Sequence, residues 1–201
     1  MFPVILLVLI TLVFNACNKD IKEKDKFVSV DVKSTQQQDE DTMIVVGSFS
    51  SGEPAITLPY EALDSFYRWF FGVEGQNVIL SSVIIDDDLS INDAVIYLIF
   101  TGSNQEGESA ILGLRLFRDY DDDIYYIPTE MFGGKWTCKG KNCSGCSPKR
   151  KGGRRSKVIG CDCTGGAIDG DKPSGCEHSV SGGGGASTWI GVLVSIIGLF
   201  T

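Results

Sequence analysis

The chain has 201 residues, 43% hydrophobic and 22% charged, with a formal net charge of -8. That length holds one ordinary domain and a small satellite, and excludes two full cores. The charge is split, because 22 acidic and seven basic residues lie between Asp20 and Glu130, whereas Lys135 to Lys157 holds nine basic residues and no acidic ones.

The chain opens with "MFPVILLVLITLVFNAC", an apolar run before a small residue. This is the length of an export-signal core and too short to span ~30 Å of hydrocarbon as a helix. The run Phe14-Asn15-Ala16-Cys17 resembles the lipobox of bacterial lipoproteins, with Phe14 where that family usually has leucine. The resemblance implies a signal peptide over 1–16 and lipidation of Cys17, which would become the mature N-terminus. It also implies a membrane-bound, exported protein of the bacterial outer membrane or cell surface. An ordinary secretory peptide cut near Ala16 is the alternative. Lipidating Cys17 leaves six cysteines, an even number for an exported chain.

Residues 17–26 read as the lipidated cysteine and a polar tether, since "NKDIKEKDK" has no apolar periodicity. A body over 27–132 follows. "FVSVDVKS" alternates Val28, Val30 and Val32 on one face and predicts a strand, "TQQQDEDT" a loop, and "MIVVGSF" a second strand. Thr57 to Gly72 predicts a helix with Pro59 at its first position, Glu61 at its positive end and Gly72 as its left-handed cap. Its Leu63, Phe66, Tyr67 and Phe70 should pack on a sheet. "NVILSSVII", "AVIYLIFTG", "AILGLRLFRD" and "DIYYIP" are β-branched and aromatic runs, the middle two joined by the turn "SNQEGES". The pattern predicts an α+β fold, an antiparallel sheet with one packed helix, followed by a small Cys-rich, Gly-rich module.

Asp119, Asp121, Asp123 and Glu130 fall on positions 1, 3, 5 and 12 of a calcium-binding loop, but Ile124 stands where that loop needs glycine. "DYDDD" therefore reads as a hairpin turn, and "IDDD" from Ile85 to Asp88 reads likewise as a turn.

Composition changes near Gly133, marking residues 133–180 as a Cys-rich basic module with too few apolar side chains to fold unaided. Three readings of its cysteines stand. Cys138, Cys143, Cys146, Cys161, Cys163 and Cys176 form three disulfides, with pairing undetermined by sequence. Alternatively Cys143 and Cys146, spaced C-x2-C, bind zinc with two more ligands from Cys161, Cys163, Cys176 or His178. Finally, Cys138, Cys143, Cys146 and Cys176, spaced C-x4-C-x2-C-x29-C, resemble the ligand spacing of plant-type [2Fe-2S] ferredoxins. That resemblance implies a cluster on those four, although Lys141 stands where that family has a small residue and Cys161 and Cys163 have no counterpart. A redox-active pair at Cys143 and Cys146 lacks the apolar strand and the helix that such sites use.

"SPKRKGGRRSK" packs six cations into eleven residues, a composition that attracts polyanions or remains a solvated loop. Trp136, Lys149, Arg150, Lys151, Arg154, Arg155 and Lys157 are the expected contact surface, an aromatic beside cations. Export favours an anionic envelope polymer or a protein partner over nucleic acid. Residues 181–201 form a Gly-rich hinge and an apolar tail, "TWIGVLVSIIGLF", in which Ile190, Val192, Val194 and Ile196 share a face at period two. It reads first as a strand returning to the sheet, then as a segment inserting partly into a membrane or partner, or as a glycolipid-anchor signal. The only histidine, His178, has no nucleophile motif around it and no phosphate-cradling loop is present. The sequence thus points to a binding or structural module of the cell envelope, with a metal-binding or electron-transfer protein as the alternative.

Overall fold

The computed structural model describes residues 43–87, 95–128, 134–151, 157–181 and 186–200. The signal, Cys17, the tether and the expected strand at 27–34 lie outside the described residues. So do Asp88, Glu130, Arg154 and Arg155.

The elements in chain order are β1 (Met43–Ser50), β2 (Glu53–Ile56), α1 (Tyr60–Val73), β3 (Val78–Asp86), β4 (Ile96–Asn104) and β5 (Ser109–Asp119). Then come β6 (Ile124–Pro128), β7 (Lys135–Lys141), β8 (Cys146–Arg150), β9 (Val158–Cys163), β10 (Gly175–Ser181) and α2 (Ala186–Ile197). Every strand pairing among the described residues is antiparallel, as expected for an α+β fold built from a strand meander.

Among the described residues, β5 is the hub of an eight-stranded sheet. One of its edges pairs along β4. The other edge is divided, since Ala110 to Leu114 pairs with β7 and Phe117 to Asp119 pairs with β6. β7 carries β10 outward on one arm, and β6 carries β1 and β2 on the other.

α1 begins at Tyr60, so Pro59, with ψ 135°, is the cap before the helix and not the first helical residue expected. Proline suits the start of a helix because its missing N–H is not needed there. The end differs from the expectation at Gly72, because the left-handed residue is Gly75, at φ +76°. The expected face, Leu63, Phe66, Tyr67 and Phe70, is buried, joined by Ala62 and Phe71.

The terminal apolar run is a helix rather than a strand. Trp189, Ile190, Leu193 and Ile197 recur at helical spacing and are buried in the same core as α1, with Phe66 and Trp189 ring centroids 6.2 Å apart. A second helix therefore packs against the predicted one and joins the same core. No helix among the described residues is long and apolar enough to cross a membrane.

The alternation of β4 and β5 explains the layering. Leu98, Phe100, Ala110, Leu112 and Leu114 face the helices, while Tyr97, Ile99 and Ile111 belong to a second core on the opposite face. A strand buried on both sides needs an apolar residue at nearly every position, which is what "IYLIF" and "AILGL" provide. The second face is covered by the two-stranded β8–β9 hairpin. The Cys-rich segment thus forms its own disulfide-bonded layer, while its strands β7 and β10 extend the main sheet. The compositional change near Gly133 is not matched by a break in the sheet, because β7 carries the ladder on from β5.

Candidate functional site: the disulfide-bonded hairpin

The six cysteines of the C-terminal segment form three disulfides, Cys138–Cys161, Cys143–Cys163 and Cys146–Cys176, with Cα separations of 5.8, 6.0 and 6.1 Å. These separations lie within the range a disulfide spans. The connectivity is first with fourth, second with fifth and third with sixth. Cys138–Cys161 joins β7 to β9, Cys143–Cys163 joins the turn after β7 to the end of β9, and Cys146–Cys176 joins β8 to β10. Each bridge therefore ties the hairpin to the sheet beneath it.

With these sulfurs oxidised, none of the six is a thiolate ligand. The ferredoxin spacing is not realised either. The sulfurs that converge are Cys143, Cys163 and Cys176, within 4.8 Å of one another, whereas Cys138 is spent on Cys161. His178 sits opposite Cys138 in the β7–β10 register, and its Nε2 is buried without a hydrogen-bond partner. Burial holds its pKa below the ordinary value of 6.5. Thr137, Lys139, Glu177, His178 and Ser179 line a shallow depression of about 290 Å³, and Thr137 Oγ1 and Ser179 Oγ share a hydrogen bond of 2.6 Å.

Two residues expected on the contact surface serve the interior instead. Trp136 is 2% exposed, packed edge-to-face on Tyr97 with centroids 5.8 Å apart. It lies across Gly113, its register partner on β5, where any Cβ would overlap the indole. Its position on β7 points it into the space between sheet and hairpin, where a large ring fills volume the small side chains nearby cannot. Arg150 is also turned inward. Its side chain is 9% exposed, ion-paired with Asp86, and its guanidinium stands 5.0 Å from the centre of the Tyr97 ring. A buried guanidinium needs such partners, because leaving it uncompensated costs several kcal/mol, on the order of 3–5.

Lys149, Lys151 and Lys157 are exposed at the connecting end of the hairpin. Lys149 pairs with Asp162 across the ladder at 3.3 Å, both side chains 56% exposed, a contact worth about 1 kcal/mol or less.

Asn142 has a positioning role that sequence reasoning missed. At φ +52° it turns the chain between β7 and Cys143. Its side-chain amide donates to the carbonyls of Asp169 and Lys172, both at 2.8 Å, and its Oδ1 accepts from the Asp169 N–H at 2.6 Å. Its own N–H donates to Glu108 Oε1 at 2.6 Å. One asparagine thus holds the long loop before β10 and the β4–β5 turn around the cysteine cluster. The tolerance of Asn for left-handed backbone was the available signal.

The acidic motif resolves as a turn. Asp119 Oδ1 accepts from the N–H groups of Asp121 and Asp122 at 2.9 and 3.4 Å, and Asp123 pairs with Arg118 at 3.0 Å. Arg118 also meets Asp87 at 3.4 Å, and Tyr125 donates to the same Asp87 at 2.7 Å. The side chains of Asp86, Asp87, Asp119 and Asp123 are thus used as hydrogen-bond or ion-pair partners.

No protein-family model matches this chain, and no curated protein or solved structure matches it either.

Proposed function

We propose that this is an exported, lipid-anchored protein of the bacterial cell envelope that binds an anionic envelope polymer through the cationic end of its disulfide-bonded hairpin. The observation that carries the reading is the hairpin itself. Lys149, Lys151 and Lys157 are exposed where the hairpin turns, and Arg154 and Arg155 lie in the same connection, with no acidic residue between Lys135 and Lys157. The inward Arg150 and three disulfides fix the base from which this connection leaves. Disulfides at this density suit an oxidising compartment, and the lipobox-like run ending at Cys17 supplies the anchor.

A cation near an anionic surface contributes about 1 kcal/mol. Replacing Lys151, Arg154, Arg155 and Lys157 together by Ala should therefore weaken binding of the full chain to purified anionic envelope polysaccharide by about tenfold or more at low salt. The circular dichroism should stay the same. Equal binding by the variant, or none by the parent, would remove the reading. Lipidation is checked separately, by loss of fatty-acid labelling in Cys17→Ser.

A further inference from the structure

We infer that Cys143, Cys146, Cys163 and Cys176 form an exchange set with two interchangeable pairings, converted one into the other by a thiol that is regenerated. Two independent features of the geometry point to it. Cys143 Sγ and Cys176 Sγ, which belong to different disulfides, stand 3.7 Å apart. In addition, Cys146 and Cys163 are direct partners in the β8–β9 register. Opposed residues of an antiparallel pair have Cα atoms about 4.5–5.5 Å apart, which is disulfide range. The second pairing, Cys143–Cys176 with Cys146–Cys163, is thus available within the same fold, whereas neither Cys138 nor Cys161 is among the converging sulfurs Cys143, Cys163 and Cys176 or opposite a cysteine in the β8–β9 ladder.

The conversion is redox-neutral. An external thiolate attacks the half-exposed Sγ of Cys163, breaking Cys143–Cys163, forming a mixed disulfide on Cys163 and releasing Cys143 as thiolate. Cys143 then attacks Cys176 Sγ, forming Cys143–Cys176, breaking Cys146–Cys176 and releasing the Cys146 thiolate. Cys146 attacks Cys163 across the ladder, forming Cys146–Cys163 and expelling the external thiolate. Three bonds form and three break, with no net transfer of electrons.

The two forms differ in how the hairpin is held. In the pairing described, all three disulfides tie the hairpin to the sheet. In the exchanged form Cys146–Cys163 lies within the hairpin, Cys143–Cys176 lies within the sheet side, and Cys138–Cys161 is the one remaining tie. The exchange therefore frees the end of the hairpin at Cys146 and Cys163, while Cys138–Cys161 and the Arg150–Asp86 pair still hold it nearer the cationic connection.

Cys163→Ser in the full chain gives the direct test, because it leaves one free thiol among Cys143, Cys146 and Cys176. Cleavage after Lys141 and Lys149 places Cys143 and Cys146 on one peptide, and fragment ions after acid quenching and alkylation tell them apart. Label on both Cys143 and Cys146 is expected, and label on Cys143 alone overturns the inference. Cys161→Ser should carry label on Cys138 only, and label on any of the other four also overturns it. If Cys163→Ser does not fold, the parent protein is held with catalytic reduced glutathione near pH 8.5, where thiolate is abundant, and its disulfides are mapped. Cys143–Cys176 with Cys146–Cys163 is the supporting result. The original pairing alone, or scrambling that includes Cys138, is the contrary one.

Discussion

The two faces of the central sheet are held by different forces. On the helix face Phe66, Tyr67, Phe70 and Phe71 of α1 and Trp189 and Leu193 of α2 share one core with the inward residues of β4 and β5, and burial of large rings and branched chains supplies the stabilisation. On the hairpin face the second core is small, with Tyr97, Ile99, Ile111, Trp136 and Val158 beside buried cysteines, and all three disulfides lie there. The difference shows what a layer rich in Gly, Ser and Lys requires. It offers little area at about 25 cal/mol per Å², so restriction of the unfolded chain by cross-links replaces burial.

Breaking each face separately tests the contrast. On the helix face, Phe66→Ala removes a fully buried ring touching Phe70, Phe100 and Trp189. The expected loss is about 3–5 kcal/mol in denaturant unfolding, with hydrogen-exchange protection lost across the whole sheet. On the hairpin face, joint Cys138→Ser and Cys161→Ser opens a loop with a sequence separation of 23, costing about 3 kcal/mol. Here the amides of β8 and β9 should lose protection first while α1, β4 and β5 keep theirs. Equal loss in both layers would show that the faces are one cooperative unit.

The smallest effect is a pH dependence. Burial lowers the His178 pKa below 6.5, so the unfolded chain binds this proton at a higher pH than the folded one. Stability from this group is full above the ordinary histidine value and declines as pH falls below it. His178→Gln should flatten that acid-side slope, read as denaturation midpoints between pH 5 and 7. A parent slope of the opposite sign at this site would mean that the folded state favours the imidazolium beside Glu177.

The helix face was largely legible in the sequence. Spacing alone places Leu63, Phe66, Tyr67 and Phe70 on one side of α1, and the β-branched runs supply β1 and β3 to β6. The tail was misread because Ile190, Val192, Val194 and Ile196 satisfy a period of two, while Trp189, Ile190, Leu193 and Ile197 satisfy a helical one. A short run that is apolar throughout satisfies both, and only packing against α1 decides. The hairpin face was legible in part. The need for covalent support followed from composition, but pairing did not, since it depends on the register of β7, β8, β9 and β10. Trp136 and Arg150 were placed outside because aromatic and cationic residues side by side resemble a contact surface. Their inward direction follows from Gly113 and Asp86, 23 and 64 positions earlier in the chain. The unbroken apolar runs of β4 and β5 were the overlooked clue, since a strand with no polar side needs a cover on each face.

The order of the cysteine pairs bears on how the protein is made. Each native partner of Cys138, Cys143 and Cys146 lies 20 to 30 positions downstream, and the three spans overlap so that none closes before the next begins. A chain delivered from its N-terminus presents three thiols before any correct mate has emerged. Cys143 and Cys146, two residues from being neighbours, then meet each other first. Maturation through such an early bond needs its exchange, and the yield of correctly paired protein should then follow the supply of disulfide isomerase rather than of oxidant.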